Sequence, residues 1–251
     1  SAASDVYKRQ ASTAVCAKVN NENRKALYSR YTLTSAKDSI IPEFSEKIEL
    51  LGLGDWYEPK IDRIIGPGNR EVVFKGLRTS SGNQTAKLKS LKGFSIFVLD
   101  EAEEENDEVS FDRINLSIRE MGVNNIIVLI LNPTTKEHWI YKRFFESKGV
   151  QGGFNGIKDN VCYIHTTYLD VINHVPKDYL TEIELLKTSN PKKYDHIIMG
   201  GWLDAAEGVV FDNWEYGDFD DSLPFAYGMD FGFFPDPDVL VKCAIDNKRK
   251  R

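Results

Sequence analysis

The sequence is defined first by what it lacks. No apolar stretch approaches the roughly 20 residues that a membrane-spanning helix requires, and the N-terminus has no basic-then-apolar signal layout. A globular protein of the cytoplasm, with no membrane partner, is therefore the expectation. Cysteine is sparse: Cys16, Cys162 and Cys243 are odd in number and far apart, which speaks against a disulfide framework and a clustered zinc site. The four histidines, His138, His165, His174 and His196, form no metal-spaced pair, and no GxSxG nucleophile elbow occurs. His165 reads as a packed strand histidine. There is no Gly-Lys pair, so the phosphate-cradling GxxxxGK[ST] loop is absent. Nor is there an excess of positive charge. At a net charge of -6, any contact with nucleic acid must be local.

What is present suits a folded chain, since 251 residues at 41% hydrophobic bury a sizeable core. The first ten residues, SAASDVYKRQ, show no hydrophobic period and read as a non-native leader, set aside from fold reasoning. ALYSRYTL, residues 26–33, is β-prone with Ser29 and Arg30 as interruptions. A helix should follow, opened by a capping box of Ser35 and Asp38. Its face is Ile40, Phe44, Ile48 and Leu51, Gly52 stops it, and Pro42 is tolerated early. KIDRII and EVVFKGL flank GPGN as an antiparallel hairpin. FSIFVLD, residues 94–100, is too short for a helix and so apolar that both faces should be buried. A helix is then expected over 109–122, an apolar strand over NNIIVLILNP, and a helix over 136–149 closing on glycine.

Strand and helix alternate throughout this stretch. The fold class is therefore α/β with a mainly parallel sheet, and ligands belong beyond the carboxyl ends of the strands. From residue 149 to 216 the pattern loosens into a small subdomain: a strand at VCYIHTTY, a helix from Pro176 to Lys187, and a short helix opened by Asn190-Pro191. Residues 217–224, GDFDDSLP, read as a linker. Beyond it, 225–251 carries two strands, FAYGMDFGF and DVLVKCAI, which would be marginal as an isolated pair.

Three places carry chemistry. In SIFVLDEAEE a buried strand ends on Asp100 and Glu101, and adjacent buried carboxylates need a cation or hydrogen-bond donors. In nucleotide hydrolases an aspartate at such a tip holds Mg²⁺ on the β- and γ-phosphates, and a neighbouring acid activates water. The bland alternative is a helix start, where acids favour the positive end of the dipole. Asn132, at the exit of the next strand, which is also read as buried, suits an amide that senses the γ-phosphate, although Asn-Pro also opens ordinary turns. Asp230, in YGMDFGFFPDP, suits the first carboxylate of a two-metal nuclease. The same residues also read as a plain Asp-Gly turn, and no HRD sequence supports a kinase.

In order along residues 24–251, these segments resemble the large terminase subunits of tailed phages. RYTLTSAKDSI is similar to the strand and helix after that family's Walker A segment, FVLDEAEE to its Walker B, and LNP to its coupling motif. GGWLDAAEGVVFDNW resembles its exit from the ATPase domain, and YGMDFGFFPDP the start of its RNase H-like nuclease. The resemblance implies a P-loop (ASCE-type) NTPase domain over 11–216 followed by the first strands of the nuclease. By residue, it implies Asp100 as Mg²⁺ ligand, Glu101 as catalytic base, Asn132 as ATP-sensing residue, and Asp230 as first nuclease metal ligand. ATP and Mg²⁺ are the implied cofactors, with Mg²⁺ or Mn²⁺ at the nuclease. Implied partners are double-stranded DNA, a terminase small subunit, a portal protein and further copies in a homo-oligomeric ring, within the cytoplasm of an infected bacterium. Lys89 and Lys92 stand where some members supply a basic residue in trans, though a lysine lacks the fork of an arginine.

Walker A would precede Asn23 and further nuclease acids would follow Arg251, so both sites are expected to be incomplete here and the chain inactive alone. A helicase-like P-loop motor and a noncatalytic DNA-binding or scaffold remnant stay open as alternatives.

Overall fold

The computed structural model describes residues 2–33, 40–79, 82–83, 93–204, 217–230 and 238–245. Two compact units divide the chain, Ser1–Glu207 and Gly208–Arg251, the division falling ahead of the acidic 217–224 segment. The first unit opens with α1 (Ala2–Glu22) and β1 (Lys25–Thr32), then α2 (Ile40–Leu50). After these come β2 (Glu58–Pro59), β3 (Arg63–Ile65), β4 (Glu71–Thr79), β5 (Gly82–Asn83) and β6 (Phe94–Asp100). Next are α3 (Glu108–Asn115) and β7 (Ile126–Ile130). A small two-stranded sheet of β8 (Gly156–Lys158) and β9 (Val161–Tyr163) precedes α4 (Lys177–Ser189) and α5 (Pro191–Lys193). In the second unit β10 (Phe225–Asp230) pairs antiparallel with β11 (Val239–Ala244).

The main sheet runs β2-β3-β4-β1-β6-β7, with β5 alongside β4. Its centre, β4-β1-β6-β7, is parallel. The hairpin expected around GPGN forms as β3 and β4, with Ile64 opposite Val72. Alternation along each strand then divides the core in two. Ala26, Tyr28, Val72, Phe74, Ile96 and Val98 face one side, where Val15 and Val19 of α1 and Ile40, Phe44 and Ile48 of α2 cover them. Leu27, Val73, Phe97 and Leu99 face the other, under Phe111, Ile114, Trp139 and Ile140. The result is a sheet with helices on both faces, the arrangement that parallel sheets require.

Expectation and structure part company at several elements. The missing apolar period near the start does not prevent helix formation, since α1 spans Ala2–Glu22 and Arg9 pairs with Glu46 of α2 at 2.6 Å. The capping box of Ser35 and Asp38 lies outside the described residues, but α2 does stop at Gly52, whose φ of +70° suits a residue without a Cβ.

Helix α3 is shorter than the expected 109–122. It starts on Asp107, whose side chain accepts from the Val109 amide, and ends at Asn115; Ser117 then takes the Arg113 carbonyl while buried Ile118 turns into the core. Strand β7 is half-buried rather than fully buried, since among the described residues its only strand partner is β6. Residues 139–148 are helical but widen to i→i+5 turns over Tyr141–Phe145 before closing on left-handed Gly149. Strand β9 is cut to three residues because Thr167 and Asp170 form a capping box that starts the turn of Tyr168–His174. His165 lies past that strand, its amide held by Asn155, and is not a strand histidine. No described helix is long and apolar enough to cross a membrane.

Candidate functional site

The site is built at the carboxyl edge of the parallel strands. All seven residues of β6 are buried, and the strand delivers Asp100 to its tip with no exposed surface. A buried carboxylate must be compensated, and the neighbouring strand supplies the means. β1 runs parallel to β6 with Ser29 opposite Leu99, so the next residue, Arg30, reaches Asp100. Its Nε and Nη2 donate to Asp100 Oδ2 at 2.7 and 2.6 Å, and the Glu101 amide donates to Oδ1 at 3.1 Å. Fully buried Tyr28 adjoins the same carboxylate, and burial together with that negative charge pushes its phenol well above the ordinary value of 10.0. Arg30 is held above its own ordinary value against the opposing effect of its burial, Asp100 being the largest stabilising cause.

Glu101 leaves the strand in a left-handed conformation, φ 56° and ψ 46°, which is uncommon for a residue with a side chain. Such strain persists where surrounding contacts enforce it, and it clusters at functional turns. Here the chain reverses into the short turn Ala102–Glu104, and the Glu101 side chain is left partly exposed at the strand tips. This turn is tied to the segment after β7. Asp100 lies opposite Ile130, so Asn132 emerges beside it, and its Nδ2 donates to Glu103 Oε1 at 3.0 Å. The Trp139 indole donates to the Glu105 carbonyl at 2.6 Å. Further on, Thr134 and Lys136 exchange backbone hydrogen bonds with Leu203, linking the same segment to the end of the first unit.

The structure therefore brings Asp100, Glu101 and Asn132 together. Asp230 belongs to the second unit, where it ends β10 opposite Val239 and is exposed. Lys89 and Lys92 lie outside the described residues. Two members of the site escaped the sequence reading. Arg30 was visible as a charge interrupting an apolar strand, a signal that a buried partner is needed, and Glu103 was hidden within a run of acids.

Comparison with known proteins shows the family. A sequence model of the family described as "Phage terminase large subunit" matches residues 2–201. The chain belongs to the phage terminase large subunit family. The PBSX phage terminase large subunit of Bacillus subtilis (strain 168) is 26% identical over 93% of this chain and 57% of its own length. The large terminase subunit of Bacillus phage SPP1 is 26% identical over 90% of this chain and 54% of its own. Among solved structures, the large terminase of a thermophilic bacteriophage aligns with a TM-score of 0.54 at 16% identity, covering 89% of this chain and 53% of that one. That likeness supports the shared fold. The chain spans about half the length of the terminase relatives it matches.

A resident divalent ion is testable against the donors present. Among the described residues no group of three His, Cys, Asp or Glu side chains could hold a metal, so an all-protein cage does not fit. A site for Mg²⁺ that arrives with a nucleotide asks for less, one or two carboxylates with phosphate and water in the remaining positions. Asp100, with Glu101 beside it, is a donor set of that kind.

Proposed function

We propose that this chain is part of a motor that uses ATP to move double-stranded viral DNA into a procapsid and that cuts the DNA with a second, metal-dependent site. The observation that carries the reading is buried Asp100 at the tip of β6, followed by strained Glu101 and flanked by Asn132, in a member of the terminase large subunit family. In this reading Asp100 holds the Mg²⁺ that accompanies ATP, and the ion when bound neutralises charge on the β- and γ-phosphates. Glu101, at the left-handed turn that follows Asp100, orients and deprotonates the attacking water. Asn132, bonded to Glu103 on the turn that carries Glu101, registers the γ-phosphate and passes its loss to the segment that meets Leu203.

Asp230 is assigned as the first metal ligand of the nuclease on its motif. The partners proposed are DNA, a small terminase subunit, a portal protein and further copies in a ring, in the cytoplasm of the infected host. The decisive experiment uses a form of the protein that spans the full length of its relatives. Glu101→Ala should abolish ATP hydrolysis while Mg²⁺- or Mn²⁺-dependent plasmid cleavage persists, and Asp230→Ala should do the reverse. A folded, DNA-binding protein with neither activity in its unaltered form would favour a noncatalytic scaffold instead.

A further inference from the structure

A guanidinium sits within an inner strand of a sheet only where its charge is met, and Arg30 is met by Asp100. The arrangement is end-on: both Nε and Nη2 converge on Oδ2, while Oδ1 is occupied by the Glu101 amide. Of the two side chains, Asp100 is wholly buried and Arg30 is 23% exposed, so the arginine is the member of the pair that meets solvent.

We propose that Arg30 is a positioning residue, the resident counter-ion of Asp100, which gives way at Oδ2 when a divalent cation binds. The inference rests on the reading of Asp100 as a metal ligand. A guanidinium and a divalent ion on one carboxylate oxygen repel each other strongly at any dielectric a protein interior offers. Occupation by one therefore disfavours the other. The pairing holds the buried Asp100 carboxylate in place and offsets the cost of taking its charge out of water. It also weakens the site for metal.

The test is Mn²⁺ affinity measured by electron paramagnetic resonance on the chain as it stands, with Arg30→Gln, Arg30→Lys, Asp100→Asn and the Arg30→Gln/Asp100→Asn pair. Arg30→Gln should bind Mn²⁺ at least about tenfold more tightly, the lower bound when a like charge a few ångströms from a divalent ion is removed. Arg30→Lys, which keeps the charge, should stay near the unaltered protein, and Asp100→Asn should remove the gain. Unchanged or weaker binding through Asp100 in Arg30→Gln would overturn the proposal. Binding indifferent to Asp100→Asn would instead remove the metal-ligand reading beneath it.

Because Arg30→Gln removes the guanidinium from beside a buried carboxylate and can unfold the chain, the native protein supplies a second readout. The Arg30 Nε–H resonance, assigned by its loss in Arg30→Lys, should move toward that of free arginine as Mg²⁺ is added. A resonance that stays in place while Asp100-dependent Mg²⁺ binding saturates would sink the exchange.

Discussion

Phe97 shows what a single residue contributes to this fold. It is wholly buried at the middle of β6 and packs in the cluster of Leu99, Phe111 and Trp139. Its truncation in Phe97→Ala should cost about 3–5 kcal/mol, the range for deleting a large aromatic from a tight core. Urea unfolding measures this directly, and a loss below about 1 kcal/mol would mean that the cluster is looser than the structure shows.

Cys16 makes a different residue-scale prediction. Burial, aided by Glu43, pushes its thiol from 9.0 up to about 12. The folded chain thus keeps a proton that the unfolded chain gives up, so the contribution is full below about pH 9 and fades as pH climbs toward 12. Stability measured from pH 8.5 to 10.5 should fall less steeply in Cys16→Ala, by up to about 1.4 kcal/mol per pH unit. Identical slopes in the two proteins would refute the burial of a neutral thiol.

At the scale of elements, the interest lies in how β6 and β7 are joined beyond their tips. Asn132 and Glu103 are 29 residues apart and meet at 3.0 Å, across strands that are already paired. A double-mutant cycle of Asn132→Ala and Glu103→Ala, read by urea unfolding, should give a coupling of about 0.5–1.5 kcal/mol. Strict additivity would show that the bond does not form in solution. The start of α3 supplies a simpler case, because Asp107 caps it through the Val109 amide and through the Ser110 hydroxyl. Asp107→Ala should lower stability by about 1 kcal/mol, whereas Asp107→Asn, which still accepts, should lose less.

Across the whole molecule, protection should be very uneven. β1 and β6 are inner strands with neighbours on both sides, whereas β10 and β11 form a two-stranded ribbon whose residues are almost all exposed. Two strands alone are marginal in water. Amide hydrogen exchange should therefore be slowest in 94–100 and fastest, among strands, in 225–230 and 239–244. Comparable protection in both sets would mean that the ribbon is covered by contacts of its own.

Much of this was legible in the linear chain because the relevant physics is local. The apolar run 94–100 had to be a buried strand, GPGN had to reverse the chain, Gly52 and Gly149 had to end helices, and alternating elements had to give an α/β sheet. The early end of α3 and the half-burial of β7 were not legible. The first depends on where Ile118 must go to reach the core, and the second on which strands lie beside it. The site divides in the same way. Asp100 and Glu101 announce themselves as acids closing an apolar strand, but the partner of Asp100 sits 70 positions earlier in the chain. Only the parallel register of β1 against β6 puts Arg30 beside it. Sequence by itself determined that the run 94–100 would be buried and that this strand would end in charge, since both follow from transfer out of water. Tertiary structure alone decided which charge would answer which, because that depends on distances the linear order does not contain.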